Sequence, residues 1–288
     1  MNRAVTNAMS IDVEDYFQVS AFAPYIERSE WASRECRVPR NVGRILDLLA
    51  RYDTRATFFT LGWVAERYPA LVREIVAQGH ELASHGYGHE RASDLSPEAF
   101  RKDIRDAKAI LEDLGGKPVL GYRAPSFSIG EGNLWAFDEL AAAGYRYSSS
   151  VYPIKHDHYG MPDSPRFAYE VRPGLIEVPV TTLRVGERNL PSSGGGYFRL
   201  LPYLLSRWML RRVNAEGQSA VFYFHPWEID VEQPRIPGID AKTRFRHYVN
   251  LARTEQRIER LLQDFRWGRM DDLFLPERQR AGALQAAL

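Results

Sequence analysis

The sequence predicts an α/β fold built on a mostly parallel sheet of about seven strands, open or closed into a barrel. Three observations carry this. Short β-branched or aromatic runs alternate with helical patterns through most of the chain, as a parallel sheet with helical crossovers requires. Several of those runs end in acids, histidines or an arginine. No Gly- or Ser-rich linker and no fixed-period repeat interrupts the 288 residues, so one domain over 1–275 and a short tail over 276–288 are expected.

The elements follow in order. Ala8–Asp12 is a short apolar run ending in acid, a buried strand. Pro39–Arg51 carries Val42, Ile45, Leu46 and Leu49 at helical spacing. Thr54–Leu61 is β-branched and aromatic, hence a strand. Pro69–Gln78 opens on proline, has one apolar face and stops at Gly79, so it is a helix. Glu81–Ser84 is a brief strand. Ser96 is a helix N-cap ahead of Pro97, and that helix runs to Leu114. Val119–Tyr122 is a strand, Asn133–Ala143 a helix closed by Gly144, and Tyr145–Ser149 a strand. Four prolines and weak periodicity make 153–174 a long loop. Leu175–Thr182 is a strand, Leu200–Ala215 a helix, Ala220–Phe224 a fully buried strand, and Thr243–Phe265 one amphipathic helix.

Composition narrows the classes. With 44% hydrophobic and 26% charged residues, the chain is neither disordered nor a disulfide scaffold. Lys+Arg 38 against Asp+Glu 37 leaves a net charge of +1, which demands no nucleic acid and no anionic membrane. The single cysteine, Cys36, has no intrachain partner and no activating motif. The start, MNRAVTNAMSIDVED, lacks the apolar run of about 7–15 residues that a secretory peptide needs. No run reaches the ~18 apolar residues of a membrane span. A cytoplasmic protein is the expectation.

Sites in parallel α/β folds form at the carboxyl ends of the strands. Those ends hold Asp12, Glu14 and Asp15, then His85 and His89, then Arg123, then His225. His85 and His89 stand four apart, a spacing that lets both imidazoles bind one divalent metal. The intervening Gly86 and Gly88 put them on a loop; two turn histidines are the plain alternative. Asp12 and Glu14 face the same way from a strand end, so one acid can bind a cation while the other takes a proton. An acidic helix N-terminus is the competing reading. Arg123, fixed between a strand and Pro125, can hold a carboxylate or lie at the surface. His225 can act as a general acid or sit satisfied in the core.

Taken in order, these motifs resemble the polysaccharide deacetylases of the NodB-homology type, carbohydrate esterase family 4. The likeness spans roughly residues 8–230. It lies in Ser10-Ile11-Asp12-Val13-Glu14-Asp15, His85–His89, Arg123-Ala124-Pro125-Ser126-Phe127 and Tyr223-Phe224-His225. The resemblance implies a single-domain distorted (β/α) barrel and a metal-dependent N-deacetylase acting on an N-acetylated amino-sugar glycan. Asp12 matches the family's base, His85 and His89 its metal histidines, and His225 the general acid; Arg123 orients Asp12. The family's second aspartate is replaced by Val13, so Glu14, with Asp15 as runner-up, is the expected carboxylate ligand of one divalent metal, zinc for preference. A backbone N–H near Ser126–Phe127 would face the oxyanion.

Pro125, Phe127, Tyr197, Arg199 and Trp227 are the expected substrate contacts. The family usually carries an Asp after the fifth strand, but 147–153 holds none. Arg123 is then expected to be less restrained unless Asp157 or Asp163 substitutes. The Asp-Val-Glu-Asp-Tyr-Phe start, Ser193–Arg199 and His225–Glu228 look like a narrower branch, associated with bacterial exopolysaccharide clusters of the exosortase type. Two other functions remain open at this stage: a catalytically impaired sugar-binding protein, and a cyclic amide or ureide hydrolase.

Overall fold

The computed structural model describes residues 5–156 and 160–277. Its strands and helices alternate in chain order. They are β1 (Thr6–Val13), α1 (Val38–Arg51), β2 (Thr57–Thr60), α2 (Gly62–Arg67), α3 (Pro69–Ala77) and β3 (Glu81–Ser84). Then come α4 (Pro97–Gly115), β4 (Gly121–Tyr122), α5 (Trp135–Ala142), β5 (Tyr147–Ser148), β6 (Tyr169–Arg172) and β7 (Leu175–Glu177). The chain continues through β8 (Thr182–Val185), β9 (Arg188–Pro191), α6 (Gly195–Leu200), α7 (Tyr203–Ala215) and β10 (Val221–Phe224). It closes with α8 (Ala241–Tyr248), α9 (Leu251–Asp264), β11 (Arg266–Gly268) and α10 (Met270–Phe274).

The main sheet runs β10-β1-β2-β3-β4-β5-β7-β6, with β11 also paired to β1. All pairs are parallel except β6 with β7. The sheet is a curled half-barrel: no pairing joins β10 to β6. The seven strands expected from sequence are its contiguous parallel body, from β10 through β7. Side chains alternate across it. Met9, Ile11, Val13, Phe58, Phe222 and Phe224 point outward into the core shared with α1, α7 and α9. Each such fully buried side chain contributes roughly 1.5–3 kcal/mol. The opposite register sends Ser10, Asp12, Phe59, Arg123, Tyr223 and His225 to the concave side. Gly121 is required there, because a Cβ would fall 2.2 Å from the Tyr147 ring.

Some expectations need correction. The loop over 153–174 contains β6, an edge strand that the prolines around it obscured. Thr243–Phe265 is two helices rather than one: Val249 is extended and Asn250 is left-handed at φ 54°, so the ladder breaks between α8 and α9. The hairpin β8–β9 lies off the main sheet. The tail is described only as far as 277.

Candidate active site

β1 delivers the two acids. Asp12 is its penultimate residue. A tight backbone turn, Glu14 N–H to Asp12 carbonyl at 3.0 Å, then swings Glu14 to the same side. Asp12 Oδ1 accepts from Arg123 Nη1 at 2.6 Å. Arg123 is fully buried and well restrained. It also donates to Ser10 Oγ (2.9 Å), Ser149 Oγ (3.0 Å) and the Ser149 carbonyl (3.2 Å), and its guanidinium lies 4.1 Å from the Phe59 ring centre. The expected looseness of Arg123 is therefore absent: Ser149 and Ser10 do the holding. Asp163 is exposed, and Asp157 falls outside the described residues.

The loop after β3 delivers the imidazoles. His85 Nδ1 lies 2.8 Å from the Arg123 carbonyl, which fixes Nδ1 as the donor and leaves Nε2 as a lone-pair ligand. Burial pushes the His85 imidazole down to about 4, so it stays neutral. His89 takes a left-handed φ of 57°, a strained setting for a residue with a Cβ. That strain turns its Nε2 to 2.5 Å from Glu14 Oε2. Gly86 (φ 75°) could not carry a side chain, since a Cβ there would meet the Asp103 carboxylate at 2.7 Å. Asp103 in turn accepts the Tyr87 N–H at 3.0 Å and anchors the loop to α4.

Glu14, His85 and His89 bring their ligand atoms within 4.8 Å of one another, all buried. Glu14 Oε2 has no donor aligned on it among the described residues, despite the short approach of His89. Carboxylate and imidazole here face a common point, as ligands do. Glu14 Oε1 accepts from Trp227 Nε1 at 3.1 Å, so the carboxylate is aimed from behind. Burial alone would raise the Glu14 carboxyl, but His89 and His225 outweigh it and hold Glu14 well below the usual range. One carboxylate and two imidazoles, His85 oriented through its Nδ1, suit a zinc-like divalent cation with open positions.

Asp15 is not part of this cluster. It accepts from the Tyr16, Arg37 and Val38 N–H groups at 2.8, 2.6 and 2.9 Å and caps the turn Tyr16–Gln18. A carboxylate holding three backbone donors is structural.

His225 follows β10 and opens a short turn, Pro226–Ile229. Its Nε2 lies 3.7 Å from Glu14 Oε1 and 3.9 Å from Asp12 Oδ2. Its Nδ1 lies 2.7 Å from Glu228 Oε1. Glu228 Oε2 accepts from Arg199 Nε at 2.6 Å, and Arg199 also donates to the carbonyls of Arg246, His247 and Val249. Sequence reasoning missed Glu228. The signal was present: Pro226 and Glu228 stand one and three places after His225, the pattern of a capped turn. Burial pulls His225 down, but Glu14, Glu228 and Asp12 push it up to about 9.

The expected substrate contacts divide. Arg199 is 2% exposed and locked onto Glu228. Trp227 is stacked between His225 (5.1 Å) and His247 (4.2 Å). Pro125 and Phe127 are buried, with Phe127 edge-on to Tyr152 and Tyr223. These four support the site from behind; Tyr197 alone is only half-buried. Ser126 and Phe127 both take left-handed φ, 56° and 51°. The Phe127 N–H is already given to the Ala124 carbonyl at 3.0 Å, so of the two expected backbone donors it is the engaged one.

Comparison with known proteins places the chain beside deacetylases. Residues 35–148 match the family described as polysaccharide deacetylase. That stretch is similar to the polysaccharide deacetylases. Residues 149–275 match a domain of unknown function, DUF3473. The candidate site is spread over both matches and the segment before them: Asp12 and Glu14 precede the first, His85, His89 and Arg123 lie within it, and His225 and Glu228 lie in the second. Among relatives, a peptidoglycan-N-acetylglucosamine deacetylase of Bacillus cereus is 35% identical over 108 residues, 38% of this chain and 49% of the relative. A chitooligosaccharide deacetylase of Rhizobium leguminosarum bv. trifolii is 38% identical over 73 residues, 25% of this chain and 34% of the relative. The chain spans half or less of the length of these relatives. A Mycobacterium smegmatis structure described as a polysaccharide deacetylase superposes with TM-score 0.61 at 22% identity, covering 99% of this chain and 93% of its own. The PuuE allantoinase does so with TM-score 0.59 at 17% identity, covering 93% and 88%. At those identities the likeness is one of fold.

Proposed function

We propose that this protein is a metal-dependent hydrolase that removes N-acetyl groups from an amino-sugar polysaccharide or oligosaccharide, in bacterial exopolysaccharide biosynthesis. One observation carries the chemistry: the Glu14–His85–His89 cluster is flanked by a pinned acid, Asp12, and a carboxylate-backed imidazole, His225. The names of the relatives support the N-acetylated glycan. The exopolysaccharide role rests on the Asp12–Phe17, Ser193–Arg199 and His225–Glu228 segments.

Glu14, His85 and His89 would hold the cation, which when bound supplies Lewis-acid polarisation and a more acidic water. Arg123 occupies Asp12 Oδ1 and leaves Oδ2 to take the proton from the attacking water. The Ser126 N–H donates to the oxygen on which negative charge develops. His225 Nε2 then gives its proton to the departing amine, while Glu228 on Nδ1 keeps the ring in register. Arg199 keeps Glu228 ionised, since burial alone would raise that carboxyl and Arg199 and His225 hold it low.

The test is acetate release from N-acetylated oligosaccharides alongside a panel of cyclic ureides. Turnover of the first and not the second is expected. Ureide cleavage without acetate release would replace this reading. No turnover combined with tight glycan binding would make the protein a sugar-binding one.

A further inference from the structure

Helix α7 has two faces. Ser206, Met209, Leu210 and Val213 are buried. On the other side Leu204, Leu205 and Trp208 are 70%, 40% and 50% exposed, and Leu200, at the end of α6, is 49% exposed. Leu204 and Trp208 stand one turn apart with Leu205 beside them, so the large apolar side chains adjoin. Single exposed apolar residues need no explanation, but an adjoining group of this size marks an interaction surface.

The surroundings are basic. Arg211 and Arg212 share the outer face of α7. Asp264 answers Arg211 and Arg207, at 3.8 Å and 3.2 Å. Beneath Leu200, Arg257 donates to the carbonyls of Phe198, Arg199 and Leu201. Burial together with the neighbouring Arg253 and Arg260 lowers Arg257, a sign of crowded positive charge. Arg212 has no ion-pair partner among the described residues.

Place matters as much as composition. α7 leads into β10, which runs parallel to β1. The first turn of α7 therefore lies toward the carboxyl end of the sheet, the end that carries Asp12, Glu14 and His225. The apolar group begins at the end of the sheet that carries the site.

We infer that this face is a peripheral docking surface for an anionic lipid bilayer. Leu200, Leu204, Leu205 and Trp208 would enter the interface, and the arginines would meet the headgroups. Leucine and tryptophan beside arginine is the chemistry of an interfacial helix. Charge decides against a second copy of the chain. A two-fold dimer through this face would set the arginines against themselves, whereas an anionic surface neutralises them. The inference stands apart from the reaction proposed at Asp12.

The full chain is sedimented with phosphatidylcholine vesicles and with vesicles containing phosphatidylglycerol. Three proteins are compared: wild type, Leu204→Ser/Trp208→Ser and Arg211→Glu/Arg212→Glu. Thermal midpoints confirm that the variants fold. Binding of wild type to anionic vesicles only, weakened by salt and reduced at least tenfold in both variants, is the expected result. Wild type left in the supernatant, or variants that bind equally well, would overturn the inference. A wild-type dimer in solution that Leu204→Ser/Trp208→Ser makes monomeric, without vesicle binding, would assign the face to self-association instead.

Discussion

His225 and Glu228 show how one side chain sets the duty of another. His225 Nδ1 faces a carboxylate that Arg199 holds ionised, so Nε2 is the nitrogen turned to the reaction. His225→Ala is expected to lower turnover by about 10²–10⁴ with metal content unchanged, since general acid catalysis is worth that much. Near wild-type turnover in a folded, metal-loaded His225→Ala sample would remove His225 from the mechanism. Glu228→Gln should lower kcat more than it raises KM, because it frees the ring without touching substrate; a loss confined to KM would contradict the positioning role.

The titration of these imidazoles also has a sign. His225 rises to about 9 in the folded metal-free protein from about 6.5 unfolded. Its contribution is full below about 6.5 and is lost as pH climbs through about 9. His85 falls to about 4, so its contribution holds above about 6.5 and is lost as pH drops through about 4. Thermal midpoints of the metal-free protein should thus decline from near neutrality in both directions. His225→Gln should flatten the alkaline side only; an unchanged alkaline slope would deny the charged His225. A bound cation offsets the Glu14 charge, so the alkaline limb of activity should lie below 9 in the loaded enzyme.

At the scale of elements, the buried parallel strands were readable because each is a short apolar or aromatic run, and β1, β3, β4, β7 and β10 run into a charged or imidazole residue. The His85–His89 pair was readable from spacing and its loop setting from two glycines. Glu14 was preferred to Asp15 from its place two after Asp12, but what excludes Asp15 was not readable, because it turns on a single backbone bond, Glu14 N–H to Asp12 carbonyl, and on the donors of Tyr16, Arg37 and Val38 that claim Asp15. The burial of Arg199 was equally hidden, for its partner Glu228 stands 29 residues away. The division of labour in the first loop is testable. Asp15→Asn should keep the metal and lose roughly 1–3 kcal/mol of stability, the cost of weakening buried hydrogen bonds to a charged group. Glu14→Gln should lose the metal and keep its fold. The reverse pattern would exchange their roles.

On the scale of the whole molecule, one half-barrel gathers Asp12 from β1, His85 and His89 after β3, Arg123 after β4 and His225 after β10 onto its concave face. The sheet is continuous across residue 148, where the two family matches meet, since β5 pairs with both β4 and β7. Neither part holds the site alone. The central claim is that cation binding and proton abstraction belong to different acids on that face. The measurement that tests it most directly is metal stoichiometry and acetate release on one purified sample of Asp12→Asn. The expected result is one divalent cation per chain, as in wild type, with turnover reduced by about 10²–10⁴. Loss of the cation from Asp12→Asn, or turnover close to wild type with the cation in place, would contradict it.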